Sequence, residues 1–461
     1  WGMEYEELSK GYEFGQHRIF ELVINCLNPL TNILTDKGSI KAKDVVIGDI
    51  VFSRNGSRKV SFVKKQKKSD VVSIKLNKFG QEIVCTPNHK WLTLREAVPT
   101  WVKSKDLNPG DLILAGGRYE NFLGHSPSIM WDDKKVFNNT LKNVRWCLIP
   151  INPPKQVTLE LAELMGICTG DGSDGVAGAE NAIAVAVGKG LDQYKNHISN
   201  LFYSVFGKQA GIYEKENADT VQMNSKYAVD FMDSIGLKKG VTFESKRVPE
   251  IIWKASNEYR AAFLRGLFDT DGHCTRYLSM SSGSEHLVKD VQLLLLEIGV
   301  RSTITHVVND HNDIWQVNIT GRANQIEFYE HVGFSLDYKQ KGLHSIITAG
   351  YAVGHGFKVP GLQDEIKKRV ALLDNQKKLP QWVKRSRHWK TELGINPLWS
   401  FVNRLIAAGY EGFNDIFDIL KTPMYSVVSV DQLPEKQETI DIALDHDSHD
   451  FLANGLMSHN T

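Results

Sequence analysis

Several features that mark common protein classes are absent from this 461-residue sequence. Its cysteines number five, an odd set without a CxxC pair, which argues against a disulfide framework or a zinc site and indicates a reducing compartment. No apolar run approaches the ~20 residues that a membrane span requires, and the start does not read as a signal peptide. The sequence therefore predicts a cytoplasmic protein that has no membrane partner.

An excess of either charge is also lacking. Lysine and arginine total 55 and aspartate and glutamate total 54, for a formal net charge of +1 at pH 7. Any surface that binds nucleic acid must therefore arise from segregation of charge along the chain. The hydrophobic fraction of 42% is sufficient for two or three globular domains.

Two apolar stretches carry the same pattern twice. Residues 164–172 read LMGICTGDG and residues 264–272 read LRGLFDTDG, so that Asp171 and Asp271 stand 100 residues apart. Each stretch is typical of a buried helix that ends in an acid followed by a glycine, where the chain is free to turn. A matched pair of such stretches indicates an internal repeat.

Small residues recur four positions apart within each stretch. They are Gly166 and Gly170 in the first stretch and Gly266 and Thr270 in the second. On a helix these positions share one face, so we expect the two helices to pack with close axes and to bring their terminal acids together. Two adjoining carboxylates favour a divalent cation such as Mg²⁺. The alternative is two ordinary core helices, which a single copy would favour and the matched pair does not.

The repeated stretches resemble the motifs of the double-motif LAGLIDADG homing endonucleases. The resemblance implies a pseudo-twofold α+β domain of αββαββα repeats, here residues 157–349, that cleaves double-stranded DNA with Mg²⁺. The acid at the eighth motif position binds metal in that family, which corresponds to Asp171 and Asp271. The family also tends to have a lysine before an apolar-proline pair, matched by Lys246 in Ser-Lys-Arg-Val-Pro. Lys246 would polarise the attacking water or the scissile phosphate; alternatively it is a solvated surface lysine.

The chain ends have a different texture from this middle part. Residues 26–115 and 425–461 contain short β-branched segments, including 45–51, separated by turn signals such as Asn55-Gly56 and Asn-Pro-Gly-Asp at 108–111. Both ends are therefore predicted to be all-β, and residues 116–154 read as a connector.

A basic stretch with interleaved tryptophans lies between the repeats and the second β region. Trp382 and Trp399 accompany clustered basic side chains, a composition that suits phosphate contacts. The alternative is a solvated helical face. The predicted DNA-binding residues are Lys367, Lys368, Arg369, Lys384, Arg385, Arg387 and Lys390.

A second set of reactive residues opens the first β region. The thiol of Cys26 can attack the carbonyl of Asn25 and convert the amide to a thioester. This shift is uphill unless the peptide is polarised and the leaving nitrogen is protonated, which a hydroxyl and an imidazole such as Thr86 and His89 can do.

The matching residues close the sequence. The hydroxyl of Thr461 can accept the acyl group, and the side-chain amide of Asn460 can cyclise onto its own carbonyl with His459 as proton donor. Each of these residues taken singly is more often a buried small residue or ordinary loop chemistry. The prediction depends on their combination, order and position at the two ends.

This combination resembles an intein. The resemblance is carried by the opening Cys-Leu, Gly-Asp at 48–49, Thr-Pro-Asn-His at 86–89, Thr-Ile-Asp-Ile at 439–442, His-Asp-Phe-Leu-Ala-Asn-Gly at 449–455 and the closing His-Asn. It implies that Asp441 and His449 assist acyl transfer. It also implies a horseshoe-like all-β splicing domain of the Hedgehog/intein (HINT) type, built from both chain ends and interrupted by the endonuclease.

The resemblance gives a domain plan for the whole chain. Residues 1–25 are an N-extein fragment, 26–120 and 416–460 the two parts of the splicing domain, 121–156 a connector, 157–349 the endonuclease, 350–415 a basic helical region, and 461 the first C-extein residue. Gln16 and the strand-like 18–24 resemble the approach to a phosphate-binding loop, as in a phage terminase-like ATPase. A bacterial or phage-infected cell is the expected setting.

The predicted function is therefore cofactor-free splicing of residues 26–460 from their own exteins, combined with Mg²⁺-dependent cleavage of double-stranded DNA at the intein-less insertion site. Two motifs in one chain predict a monomer. One alternative is a splicing-only intein with an inactive endonuclease. The other is a free-standing homing endonuclease or DNA-binding protein that its β flanks merely support.

Overall fold

The computed structural model describes residues 25–459 apart from 54–55, 117–125, 133–148, 174–180, 239–243, 309–312, 349–355, 375–378 and 447–448. Several predicted features lie outside the described residues: the strand at 18–24, most of the connector, Asn460 and Thr461. The described residues divide into two compact units. The first unit lies within 1–119, 321–323 and 352–461, and the second within 120–320 and 324–351.

The chain begins with nine short strands of the first unit. Two single-turn 3₁₀ helices, Ala42–Asp44 and Ser104–Asp106, connect some of them. The strands are β1 Asn32–Thr35, β2 Gly38–Lys41, β3 Ile50–Ser53, β4 Gly56–Ser69, β5 Val72–Leu76, β6 Ile83–Cys85, β7 Lys90–Arg95, β8 Val98–Lys103 and β9 Leu112–Leu114.

The second unit contains the same order of elements twice. Its first half runs through α1 Leu159–Asp171, β10 Gly172–Ser173, β11 Ala182–Val187, α2 Asp192–Phe206, β12 Gly211–Tyr213, β13 Asp219–Asn224 and α3 Lys226–Ser234. After the short α4, Glu250–Trp253, its second half runs through α5 Asn257–Asp271, β14 Gly272–Cys274, β15 Leu278–Ser282, α6 Glu285–Glu297, β16 Thr303–Val308, β17 Asp313–Ile319, α7 Arg322–His331 and α8 Asp337–Thr348.

The sheets repeat this symmetry. Each half carries one antiparallel four-stranded sheet, in the orders β10-β11-β13-β12 and β14-β15-β17-β16. The predicted αββαββα order is therefore observed in both halves. The core is shared by the halves, since apolar side chains of α1 and α5 belong to the same buried cluster.

The chain then returns to the first unit through helices and four strands. The helices are α9 Leu362–Asp374, α10 Gln381–Lys384, α11 Ile395–Ala407 and α12 Asn414–Lys421. The strands are β18 Met424–Gln432, β19 Gln437–Leu444, β20 Asp450–Ala453 and β21 Leu456–His459.

These last four strands lie among the first nine in one 13-stranded sheet. The order is β19-β4-β3-β1-β20-β21-β7-β9-β18-β5-β6, with β2 paired to β1 and β8 paired to β7. Strands from the two ends of the chain alternate, so neither end can complete this sheet alone. The Asn454 side chain fixes one junction, because its Oδ1 accepts a hydrogen bond from the Asn32 N–H at 2.9 Å.

The two motif helices cross at close range. A Cβ atom at Gly166 would lie 2.0 Å from the backbone oxygen of Phe263, and one at Gly266 would lie 2.1 Å from that of Glu163. Any residue larger than glycine at either position would clash with rigid backbone. The close packing expected from the small residues is therefore present.

The terminal glycines of the motifs act differently from the prediction. Gly172 and Gly272 do not adopt left-handed backbone, since their φ values are −72° and −83°. Instead, a Cβ at either position would approach a carbonyl oxygen of the preceding helical turn to 2.2 Å. Glycine is required there by crowding, and the chain continues directly into a strand.

The strand expected at 45–51 begins only at Ile50. The Val46 N–H donates to the Asp49 carboxylate at 3.1 Å, and Gly48 has a φ of 100°. These contacts close a turn between the first 3₁₀ helix and β3. The hairpin between β3 and β4 agrees with the expected turn, with Ser53 paired to Gly56.

The four cysteines within the described residues are all free and buried, as expected for a chain without disulfides. Among the same residues, no helix is both long and apolar enough to cross a membrane.

Candidate functional site

Cys26 lies where segments from both chain ends meet in the first unit. Its neighbour Leu27 pairs with Ile440 of β19, through reciprocal backbone hydrogen bonds of 2.9 and 2.8 Å. The buried Cys26 donates its N–H to Thr86 Oγ1 at 3.0 Å and accepts the Thr86 N–H at 3.0 Å. Thr86 therefore fixes the backbone on both sides of the Cys26 side chain.

The thiol itself is held in its protonated form. Burial, and then the nearby carboxylate of Asp441, raise the pKa of Cys26 to about 12. Burial raises the pKa of Asp441 to about 6, against the opposing charge of Lys64. A thiol that is to react here must lose its proton to a neighbour, and Asp441 is a carboxylate close enough to interact with it.

His89 is the buried imidazole of this site. It is 1% exposed, and burial followed by the charge of nearby His459 lowers the pKa of His89 to about 3. Its Nε2 lies 2.8 Å from Ser458 Oγ, and its ring packs against Trp91 at 4.9 Å between centroids. The ring is therefore neutral near pH 7 and fixed in orientation.

The other two histidines follow His89 across the sheet. The ring of His459 meets the edge of Trp101 at 4.9 Å and lies 6.0 Å from the ring of His449. His459 ends β21 and pairs with Asp450 of β20 and Lys90 of β7. His449 adopts left-handed backbone with a φ of 46°, at the start of β20.

The structure thus brings the described splicing candidates into one region. Cys26 contacts Thr86 and interacts with Asp441, while His459 interacts with both His89 and His449. Asn460 and Thr461, which follow His459 in sequence, lie outside the described residues.

The acid pair lies at the ends of the two motif helices in the second unit. A Cβ at Gly170 would lie 1.9 Å from Thr270 Oγ1 and 3.4 Å from the Asp271 carboxyl carbon, so the helix ends touch. Burial, and then the charge of Asp171, raise the pKa of Asp271 to about 6. Asp171 is exposed at the surface, but the surrounding protein displaces enough water to raise its pKa as well.

Two lysines approach the acid pair, and their charges oppose both of these pKa increases. Lys246 Nζ donates to the Gly170 carbonyl oxygen at the end of α1. Lys339 on α8 is 6% exposed and donates to the Asp269 carbonyl at 2.6 Å, near the end of α5. Each lysine therefore binds the C-terminal turn of one motif helix.

Lys339 was missed by the sequence reasoning. It follows Asp271 by 68 residues, whereas Lys246 follows Asp171 by 75, so the internal repeat was the available signal. No apolar-proline pair follows Lys339, which is why the motif did not mark it.

The donor set fits a hard divalent cation. Two carboxylates lie at adjoining helix ends, and the proximity that raises the pKa of Asp271 is relieved when a cation shares both groups. Carboxylate oxygen is the ligand type that Mg²⁺ prefers.

A buried polar network supports the second unit beneath the acid pair. Glu163 Oε1 lies 2.6 Å from His197 Nε2 and accepts from Ser335 Oγ at 2.8 Å, while Arg265 donates to Oε2 at 3.2 Å. Burial raises the pKa of Asp269 to about 6, although its carboxylate accepts the Ser335 N–H at 3.0 Å. Sequence reasoning did not find this network.

The tryptophans of the basic region belong to its helical core. Trp399 is 6% exposed, and the Trp382 ring packs against Phe401 and under the Arg404 guanidinium at 4.2 Å. Trp389 also packs against Phe401. The expectation of tryptophans interleaved on a DNA-facing surface is therefore wrong for Trp399.

The seven basic candidates fall into two groups. Lys367, Lys368 and Arg369 on α9 pair with acids of their own helix, and Arg369 also grips Asp415 through two hydrogen bonds. That pairing with Asp415 raises the pKa of Arg369. The other four follow in or beyond α10, where Arg385 and Lys390 are exposed and Lys384 and Arg387 are half-buried.

Comparison with known proteins gives one family match. Residues 258–333 match the family model described as the LAGLIDADG-like domain, a segment that contains the second motif helix and most of the second repeat.

Curated relatives match larger parts of the chain. The replication factor C small subunit of Methanocaldococcus jannaschii is 28% identical over 62% of this chain and 14% of that protein. A DNA gyrase chain of Mycolicibacterium flavescens is 29% identical over 49% and 41%, and the tRNA-splicing ligase RtcB of Pyrococcus furiosus is 24% identical over 95% and 50%. The chain spans half or less of the length of each.

Solved structures are similar to parts of the chain. The homing endonuclease I-DmoI, in complex with DNA and Ca, is 20% identical over 40% of this chain and 96% of its own, with a TM-score of 0.31. The gp41-1 intein is 25% identical over 20% of this chain and 68% of its own, with a TM-score of 0.18. At these TM-scores neither likeness establishes the fold of the whole chain.

Proposed function

We propose that residues 26–460 are an intein that excises itself and joins its flanking segments, and that its second unit cleaves double-stranded DNA. The observation that carries the proposal is the alternation of strands from both chain ends around Cys26. Splicing requires both junctions to share one site, and β21, which precedes the second junction, lies two strands from β1 in the same sheet.

The named relatives support an inserted element. By their printed names they are a replication factor, a gyrase and a tRNA-splicing ligase, and the chain aligns with no more than half of each. A segment shared by proteins of unrelated named activity is expected of an element that inserts into different hosts.

The first chemical step is an N-to-S acyl shift. The Cys26 sulfur forms a bond to the carbonyl carbon of Asn25 and the bond from that carbon to the Cys26 nitrogen breaks. The thiol proton passes to Asp441, and His89 protonates the leaving nitrogen. The Thr86 hydroxyl, already bonded to the Cys26 N–H, orients the peptide for attack.

The later steps use the second junction. Thr461 attacks the thioester carbonyl, its hydroxyl oxygen replaces the Cys26 sulfur, and Cys26 recovers a thiol. The Asn460 side-chain nitrogen then attacks its own backbone carbonyl, and the amine of Thr461 leaves with a proton from His459. His449, whose ring lies 6.0 Å from that of His459, assists the transfer.

DNA cleavage is assigned to the acid pair. Asp171 and Asp271 would hold Mg²⁺, which when bound supplies positive charge to the scissile phosphate. Lys246, held by the Gly170 carbonyl, lies where it can polarise the attacking water or the phosphate. Lys339 takes the corresponding place at the other helix end.

DNA affinity is assigned to the basic region and depends on phosphate contacts. The exposed Arg385 and Lys390 are the strongest candidates, together with Lys384 and Arg387. Lys367, Lys368 and Arg369 contribute less, because acids of the same region already neutralise them.

The decisive experiment is mass spectrometry of the chain expressed between full-length flanking segments. The proposal expects three species: free residues 26–460, joined flanks, and little precursor. Incubation of the excised protein with intein-less host DNA and Mg²⁺ then tests cleavage. Splicing without a cut would leave a splicing-only intein. A stable precursor, unchanged by added thiol, would favour a free-standing endonuclease and refute the splicing assignment.

A further inference from the structure

Ser458 makes a contact that the splicing chemistry described above does not use. It is fully buried on β21, directly before His459, and pairs with Trp91 of β7. Its Oγ lies 2.8 Å from Nε2 of His89, across 369 residues of sequence. A hydroxyl from the end of the chain therefore bonds the imidazole that serves the beginning.

The contact decides how His89 carries its proton. A neutral imidazole has one N–H, and the hydrogen bond made by one ring nitrogen determines the state of the other. Among the described residues, His89 Nδ1 has no hydrogen-bond partner, while the Asn25 backbone is close enough to favour the protonated ring. The ring packs against Trp91, and its backbone oxygen accepts the Ser104 hydroxyl at 2.8 Å, so it cannot easily turn.

We propose that Ser458 is a positioning residue that donates its hydroxyl proton to His89 Nε2, which keeps the ring proton on Nδ1, facing the Asn25–Cys26 peptide bond. Its role in the acyl shift rests on the proposed splicing function. The hydrogen bond forms only when β21 has paired with β7, so activation of the first junction depends on placement of the strand that leads to the second.

The proton balance of the shift is then complete. The Nδ1 proton of His89 goes to the leaving Cys26 nitrogen, and the thiol proton goes to Asp441. Transfer from Asp441 back to the imidazole restores both groups, so one proton has moved from sulfur to nitrogen. Ser458 gives up no proton and only fixes which ring nitrogen holds one.

The first test measures the tautomer directly. Histidine ¹⁵N NMR of the full chain carrying Asn460→Ala, with the His89 signals assigned by a His89→Gln comparison, should report an Nδ1–H ring at pH 7. Ser458→Ala should shift His89 toward Nε2–H or a mixture, and Ser458→Thr should keep Nδ1–H. An Nε2–H ring in the parent, or an unchanged ring in Ser458→Ala, would overturn the proposal.

A matched control separates positioning from general damage. Ser53 is an equally buried serine of the same sheet whose hydroxyl donates to the Gly56 carbonyl at 2.8 Å. Ser53→Ala should therefore leave the His89 tautomer unchanged. A tautomer shift of the same size in Ser53→Ala would mean that any lost hydroxyl disturbs the ring, which contradicts a specific role for Ser458.

The second test measures the acyl shift. Thiol-induced release of the segment before Cys26 should slow by about tenfold in Ser458→Ala, and Ser458→Thr should restore most of the rate. A tautomer shift without slower release would overturn the link to the first junction. Correct tautomers in a parent that never releases the segment would instead refute splicing itself, while the role of Ser458 in setting the ring proton would stand.

Discussion

The close crossing of the two motif helices predicts an unusual response to alanine. Gly266→Ala places a methyl group 2.1 Å from the Glu163 carbonyl oxygen, whereas a carbon–oxygen contact requires about 3.3 Å. Gly166→Ala meets the Phe263 oxygen at 2.0 Å in the same way. Because both obstacles are helix backbone, the helices must part by about 1 Å to accept either methyl group.

The expected free-energy change has two opposing parts. Alanine is a better helix former than glycine by about 1 kcal/mol, which alone would stabilise the helix. Overpacking a close-packed core costs about 1–3 kcal/mol, and the rigid backbone on both sides places these sites at or above the upper end. We expect each variant to lose about 2 kcal/mol, which lowers the melting temperature of a domain of this size by about 4–8 °C.

Hydrogen–deuterium exchange of the peptides that cover α1 and α5 is the suitable assay, since it reports the second unit alone. Exchange should accelerate in Gly166→Ala and Gly266→Ala but not in the control Gly188→Ala, whose methyl group would meet only the Leu191 side chain at 3.5 Å. DNA cleavage should fall in the same two variants, as the acids separate. If both variants exchange as slowly as the control, the close crossing is wrong.

Three further predictions concern the two reactive sites and the basic region. Cys26→Ala should abolish thiol-induced release of the preceding segment while Asn460→Ala retains it; release from Cys26→Ala, seen by mass spectrometry, would refute the nucleophile. Asp271→Asn should abolish DNA cleavage but not splicing. Because the pKa of Asp271 is raised to about 6, the folded state binds its proton more tightly, so the wild-type unit should lose stability in thermal unfolding between about pH 4 and 6 and the variant should lose less. Arg385→Ala should reduce the salt dependence of DNA binding by about one phosphate contact, whereas Arg369→Ala should leave it nearly unchanged; equal slopes in salt titrations would contradict the two groups.

The repeat could be predicted because it depends on local signals. The spacing of Gly166, Gly170 and Gly266 identified one helix face, and the structure places that face at the crossing. Helix ends were also accessible: the helix expected to end before Gly236 does so, with left-handed backbone at that glycine. Such features are determined by residues within a few positions of one another.

Features set by distant residues were harder to predict. Ser458 carries no sequence signal, since a serine acquires its role only when β21 pairs with β7. Lys339 lies in a helix without the proline that marks Lys246. Trp399 was misplaced because composition alone does not distinguish a tryptophan that packs a small helical core from one exposed on a surface.

The alternation of strands also determines when the first junction can react. The site requires Thr86 and His89 from the first segment and Asp441 and Ser458 from the last, so it does not exist until the chain has been synthesised through β21. The long insertion between these segments adds little to the cost of closure, because closure entropy grows only with the logarithm of length and each doubling costs about 0.6 kcal/mol. An inserted unit with its own core shortens the effective loop further. The acyl shift is thereby withheld from an incomplete chain, whose thiol at Cys26 would lack both its proton acceptor and a correctly protonated His89.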